Sequence, residues 1–357
     1  MNKCPICGRK QYFEGICFKC SAKEERKEYL SLSDEEIKIK IEEIIENIDD
    51  EDYIDMFKKL FCYRGINTSK IAEVAFNNKI FFPKELYKDA SSEIRDKLFE
   101  KLDESQEDSV LVDNILLCLS MIGDEVVLKK FYEFEKNPPK WREKLYVGPS
   151  VYAESGGWSY DEDGKRTNLI YDECYEMVED KNSKDRAVVL GKISNEKCPH
   201  CESSYVNILD IDGNDERLKF LNLNGRIKVK TCLSCLPYDE AIFCKYELNG
   251  ESEVLPFEPW NDEKIEDENI RKVFLKPIVL SKNKIFKYYG CNTEDLITIG
   301  GEGNWINDNI HFKCPCCGKK MKYFAQIQGA SIDFYEGTIY FEICQECKIV
   351  GTTYQQT

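Results

Sequence analysis

Six C-x-x-C pairs stand out in this chain: Cys4/Cys7, Cys17/Cys20, Cys198/Cys201, Cys232/Cys235, Cys314/Cys317 and Cys344/Cys347. Scattering the chain's 18 cysteines at random would give about one such pair. A C-x-x-C turn sets two thiolates on one side of a tight loop, which is half a tetrahedron, and two turns complete a four-sulfur metal site. Taken in chain order the pairs make three sites, with nine, thirty and twenty-six residues between the members of each couple. The chemistry they predict is binding of three zinc ions per chain. An iron–sulfur cluster accepts the same four ligands, while redox C-x-x-C motifs occur singly at a strand-to-helix junction. The other cysteines, Cys62, Cys118, Cys174, Cys244, Cys291 and Cys316, read as buried or incidental thiols.

The elements that must hold these cysteines repeat. "GRIKVKTCLSC" begins at Gly225 and "GTIYFEICQEC" at Gly337, 112 residues later. Upstream, "ILDIDG" aligns with "FAQIQG" without a gap, placing Ile211 opposite Ile327, because Gly213 and Gly329 lie equally far from Cys201 and Cys317. All the length difference falls in the loop between the two glycines of each copy, where a duplicated hairpin tolerates insertion. The second strand alternates in both copies. Ile227 and Val229 face one way and Arg226, Lys228 and Lys230 the other; Ile339, Phe341 and Ile343 oppose Thr338, Tyr340 and Glu342. That is the period of a half-buried strand. "SGGWS" from Ser155 and "IGGEGNW" from Ile299 extend the repeat weakly.

Ahead of the repeat, residues 1–30 form a cysteine ribbon and a charged connector, and residues 31–139 read as helices. Ser33 and Glu36 make a capping box before Ile37, Ile41, Ile44, Ile45 and Ile48 at helical spacing. Gly65 and Gly123 suit helix ends, and Pro138–Pro139 close the run. Short turns between antiparallel helices give a HEAT-like segment. The fold class is therefore α+β: a zinc ribbon, an antiparallel α-helical segment, then an internally duplicated antiparallel β-rich domain over 140–357, with halves at about 140–250 and 270–357.

The formal charge is −16 and is uneven: residues 1–30 sum to +3, residues 31–136 to −11 and the remainder to −8. An acidic chain is poorly suited to reading a phosphate backbone. It contains neither a run of about 18 apolar residues nor an apolar signal core at "MNKCPICGRK", so a cytoplasmic protein without membrane contact is expected, in a compartment that keeps thiols reduced.

"ITIGGEGNWINDNIHFKCPCCGKKMKYFAQIQG", from Ile297, and "EGTIYFEICQECKIVGTTYQQT", from Glu336, resemble the second half of the YwqG-type domain, a superfamily that includes the programmed-cell-death-protein-two-like proteins. The resemblance covers about 140–357 and is strongest over 296–357. It implies a duplicated β-rich domain with no established catalytic centre. Eukaryotic relatives chaperone a newly made ribosomal protein, and bacterial relatives accompany toxin–immunity loci. Carried over residue by residue, Gly300, Gly301, Trp305 and Gln326 match the motif and become candidate partner-binding residues, with the four cysteines of the third site. The chain lacks the proline that many relatives place between the glycine pair and Trp305.

An enzyme is not expected. Each proposed site is closed by four sulfurs, whereas a catalytic zinc keeps a position open. The two histidines are His200, read as a turn residue, and His311. The acids Asp210 and Asp212 read as a solvated face. The expected function is a non-catalytic, zinc-stabilised protein-binding module, an immunity protein or client-specific chaperone. Its partner would be a basic protein, a toxin or a nascent chain, held between the duplicated halves or against the helices. The alternative is an RNA-associated zinc-ribbon protein, resting on Arg9, Lys10, Tyr12, Phe13 and Lys19 at the ribbon tip. Loss of Cys344 is expected to unfold only residues after about 250.

Overall fold

The computed structural model describes residues 2–105, 107–259, 263–289, 296–307, 309, 311–332, 334 and 336–356, with backbone alone for Lys19 and Ala330. It divides into two units, Met1–Gly156 and Gly157–Thr357.

The first unit opens with a two-residue hairpin, β1 (Asn2–Lys3) and β2 (Lys10–Gln11). Among the described residues its buried apolar cluster consists of Cys4, Cys17 and Cys20. A segment with no other core depends on what its thiols hold. Cys17 then caps α1 (Phe18–Ser31), followed by α2 (Asp34–Glu46), α3 (Glu51–Arg64) and α4 (Ser69–Asn77). The capping box forms as expected: the Ser33 hydroxyl accepts from Glu36 N, and the Glu36 carboxylate accepts from Ser33 N. Gly65 closes α3, and Gly123 the helix over Ser109–Ile122 (α6), in the left-handed conformation. The remaining helices are α5 (Ser92–Glu104), α6 (Ser109–Ile122), α7 (Glu125–Lys136) and α8 (Pro149–Ser155).

The first unit therefore runs to Gly156 rather than ending at residue 139. Trp141 is buried and packs edge-on against Phe134 of α7, with ring centroids 5.2 Å apart, and the Tyr152 hydroxyl of α8 donates to Asp113 of α6. Pro138–Pro139 ends one helix without ending the packed unit.

In the second unit a hairpin, β3 (Trp158–Tyr160) and β4 (Arg166–Asn168), precedes β5 (Cys174–Glu179). Next come β6 (Val188–Lys197), β7 (Ser204–Asp212), β8 (Arg226–Thr231), β9 (Ile242–Tyr246) and β10 (Ser252–Val254). After α9 (Asp267–Val273) come β11 (Ile278–Ile285), β12 (Ile297–Gly300), β13 (Lys322–Gln328), β14 (Thr338–Cys344) and β15 (Ile349–Gln355).

The duplication is visible in register. Ile211 pairs with Ile227 and Ile327 with Ile339; one strand earlier, Val188 pairs with Ile211 and Ile297 with Ile327. The register slips between Asn207 and Leu209 in the first copy and between Tyr323 and Ala325 in the second, the same place in the alignment. Both hairpins end on a glycine pair, Gly213 N to Gly225 O and Gly329 N to Gly337 O, each at 2.8 Å. A shared bulge is a geometric inheritance that no local propensity would supply twice.

The halves do not form separate sheets. β6-β7-β8 make a three-stranded sheet, whereas the eight-stranded antiparallel sheet runs β10-β9-β15-β14-β13-β12-β5-β11. First-half strands β9 and β5 thus pair with second-half strands β15 and β12. Val206, Leu209, Ile227 and Val229 share one core with Ile327, Ile339, Phe341 and Ile343. The space between the halves is therefore hydrophobic core. Among the described residues the apolar faces of the two copies cover each other there. Among the described residues no helix is long and apolar enough to cross a membrane.

Candidate metal centres and the covered face beside them

Three congruent turns present the first cysteine pair of each site. Cys4, Cys198 and Cys314 N donate to the carbonyl five residues on, in Arg9, Ser203 and Lys319, at 2.8–2.9 Å. Their carbonyls accept from Gly8, Glu202 and Gly318 N at 2.9–3.0 Å. The residue after the second cysteine must then turn left-handed: φ is +71° at Gly8, +58° at Glu202 and +72° at Gly318. The partner pairs arrive differently. Cys17 and Cys20 sit at the start of α1, Cys232 and Cys235 lead into a short 3₁₀ turn (Leu236–Tyr238), and Cys344 and Cys347 join β14 to β15.

All twelve predicted ligands fall into the three predicted groups, the sulfurs of each group lying within 4.8 Å of one another. Individual contacts are Cys7–Cys17 at 3.6 Å, Cys198–Cys235 at 3.8 Å, Cys201–Cys232 at 3.4 Å and Cys317–Cys344 at 3.8 Å. Disulfides are ruled out, since they need about 2.05 Å. A tetrahedron with bonds of about 2.3 Å has S···S edges of about 3.8 Å, which these separations match. Each cluster can hold a metal ion.

The thiols are already unevenly ionised. Cys4 is pulled down to about 6, chiefly by the Cys17 backbone N–H. Cys232 is pulled down to about 6 by the thiol of Cys235, and Cys317 is lowered by the Lys319 backbone N–H. Burial pushes Cys20, Cys198 and Cys344 up, to about 12, 11 and 11. In each site a thiol whose ionisation is favoured sits beside one whose ionisation burial disfavours. A divalent cation removes that conflict.

Of the remaining cysteines, Cys62, Cys118, Cys174 and Cys244 are buried and Cys316 is exposed; Cys291 lies outside the described residues. His200 is exposed, with its ring 4.9 Å from that of Phe257. Asp210 is not solvated as expected. It is buried and accepts from Arg226 Nε at 2.6 Å, a diagonal contact across β7 and β8, since Asp210 pairs with Lys228 and Arg226 with Asp212.

A second constellation flanks the third site. The outward positions of β14 were expected to be open, but Thr338, Tyr340 and Glu342 are all buried. The segment after β12 folds over them. Trp305 stacks on Tyr340, with centroids 4.4 Å apart, and meets Tyr323 and His311 edge-on at 5.7 Å. Gln326 Oε1 accepts from Asn304 N at 2.7 Å, and the Tyr340 hydroxyl donates to Asn304 O. Glu342, two residues before Cys344, accepts from Phe312 N at 2.7 Å and lies 2.5 Å from His311 Nδ1. Burial raises the Glu342 carboxyl, with His311 opposing the shift.

The structure thus brings Trp305 and Gln326 together through Asn304. Gly300 and Gly301 stand apart, at the end of β12, with φ of +77° and +67°. A Cβ there would lie 2.2 Å from Glu173 O and 2.5 Å from Lys287 O respectively. Gly300, Gly301 and Gln326 are buried, so direct contact with a partner does not suit them; they shape the covering segment, and only Trp305 is half-exposed. Sequence reasoning overlooked Glu342 and His311 as a buried pair. The available signal was the contrast between strands: β8 alternates with Arg226 and Lys228, which are half-exposed, whereas β14 alternates with Thr338, Tyr340 and Glu342, which have no long cationic stem to reach water.

Fold and site together define an α+β protein carrying three four-cysteine clusters, one in the N-terminal hairpin and two in a duplicated β-rich unit. The chain is 27% identical over 282 residues to the uncharacterized protein YpfL of Salmonella typhimurium, an alignment covering 75% of this chain and 64% of that protein. The match therefore spans less than two thirds of the relative's length. No family model matches the chain, and no solved structure matches it.

Proposed function

We propose that the protein is a non-catalytic, zinc-stabilised binding module whose client is a basic protein. Zinc is preferred for the clusters because tetrahedral, all-thiolate sites are its usual structural form. With four sulfurs at each centre, the donor sets leave no ligand position for a substrate. Neither histidine lies where it could complete an open site: His200 faces Phe257, and His311 is buried against Glu342.

The observation that carries the binding role is α2. Of its isoleucines only Ile44 is fully buried; Ile37, Ile41 and Ile45 are half-buried and Ile39 is exposed. Glu35, Glu42 and Glu46, spaced on the same helical stripe as Ile39, are exposed. An incompletely covered apolar helix with a carboxylate border suits a basic amphipathic segment. The resemblance to YwqG-type proteins favours the same class, with immunity toward a toxin or chaperoning of a nascent protein as its two forms. With the space between the halves filled, the client site belongs on the helices.

The test is capture from native extract with in-cell crosslinking. Crosslinks should map to α2, the captured protein should be basic, and Glu35→Lys/Glu42→Lys/Glu46→Lys should release it while leaving the zinc content unchanged. Capture unaffected by that charge reversal would refute the α2 site.

A further inference from the structure

We propose that the tip of the N-terminal ribbon is a binding site for single-stranded RNA, on which Tyr12, Phe13 and Phe18 stack bases while Lys3, Arg9 and Lys10 meet phosphates. Three observations point there.

The first is an aromatic display. Tyr12 is 91% exposed and Phe18 77%, and Phe13 lies beside Phe18 with ring centroids 5.1 Å apart. Three aromatic rings within seven residues, left in water on a segment whose own core is only cysteine, contribute nothing to that core. The second is that the display is held in place. Gln11 is buried, and its Nε2 donates to Phe13 O at 3.1 Å and Gly15 O at 2.7 Å, locking the turn that carries Tyr12 and Phe13. A backbone turn fixed before binding loses little entropy when a base stacks on the side chains it carries.

The third is charge. Lys3 and Lys10 are directly opposed across β1 and β2, and both are exposed. Like charges so placed repel, and among the described residues no carboxylate pairs with either, or with Arg9. Glu14 is the single acidic residue in the first twenty. The loaded centre would add two negative charges, at three thiolates that are buried, Cys4, Cys17 and Cys20, and one, Cys7, that is exposed. Stacking platforms bordered by cations bind single strands through the faces every base possesses. RNA commonly offers unstacked bases in loops and ends, whereas DNA is mostly paired.

The experiment is fluorescence anisotropy of a labelled oligouridylate of about twelve nucleotides, a length within the usual footprint of such platforms, titrated with the zinc-loaded full chain. Tyr12→Ala and Phe18→Ala should each weaken binding roughly tenfold while zinc content and circular dichroism stay unchanged. Three cationic contacts predict a slope of log K against log salt of about −2, falling to about −0.7 in Lys3→Gln/Lys10→Gln. Binding that survives both aromatic substitutions overturns the proposal. So does preference for an oligothymidylate or a duplex, and so does binding of an acidic aromatic peptide in place of the oligouridylate. None of these outcomes bears on the α2 client site, which lies on a different element and is read by a different assay.

Discussion

Replacing Cys344 with serine should unfold the whole of residues 157–357 and leave the helices intact. Cys344 ends β14, near the middle of the eight-stranded sheet, and shares a cluster with Phe312, Cys314, Met321 and Ile349. A structural zinc site binds its metal with about 10–16 kcal/mol at neutral pH, whereas an entire domain is stable by about 5–15 kcal/mol. If losing one thiolate of four releases the ion, the loss is comparable to the unit's whole margin. The loss cannot stay local. Ile339, Phe341 and Ile343 of β14 pack in the same core as Val206, Leu209 and Val229, and β9 pairs with β15. Limited proteolysis with mass mapping should show cleavage on both sides of residue 250, with residues 31–156 protected. Zinc content should fall from about three equivalents toward one as both centres of the second unit are lost. A mutant protected over 157–250 and retaining two zinc ions would refute the shared-core argument. Cys316→Ser, at an exposed thiol outside the cluster, should retain all three.

Three further substitutions probe the same framework. Glu202 holds φ of +58° where the equivalent residue in the second copy is Gly318, so Glu202→Gly should stabilise the second unit by about 1 kcal/mol, read as a rise of about 2–4 °C in melting temperature; no rise would mean that the turn carries no strain. Gly300→Ala should cost more than about 3 kcal/mol, because it combines a positive φ with a Cβ 2.2 Å from a backbone oxygen; a wild-type denaturation midpoint would contradict that packing. Arg217 bonds Asp185 and Asp215 and holds both carboxyls below their usual range. Acids with depressed folded pKa stabilise above their unfolded value of about 4 and lose that contribution as pH falls through the lower folded value. Acid denaturation of Arg217→Met should therefore lack part of the wild-type stability loss below about pH 4, as urea midpoints measured between neutral and strongly acidic pH would show.

The metal centres were legible because their determinants are local. Two cysteines separated by two residues are held on one side of a turn by backbone geometry alone, and the pairing of neighbouring turns followed chain order at all three sites. The capping box at Ser33, the left-handed ends at Gly65 and Gly123, and the equivalence of Ile211 with Ile327 were readable for the same reason: each is settled within a dozen residues or by alignment of one copy on the other. The helical pattern of α2 was legible too, but its degree of burial was not. Periodicity shows which side is apolar, without showing how much of that side a neighbour covers.

What only the tertiary structure decided is which copy's strands meet. Alignment identifies two similar hairpins and is silent on whether each completes its own sheet. The answer, that β9 joins β15 and β5 joins β12, depends on contacts more than a hundred residues apart in sequence. The same non-local folding turned the outward face of β14 into a buried one beneath Trp305, moved the unit boundary to Gly156, and packed the apolar faces of the two copies into one core. Spacing within a turn is governed by bond geometry and survives in the sequence. Pairing between distant strands is governed by the competition among all apolar faces for cover, and that is settled only when the chain is folded.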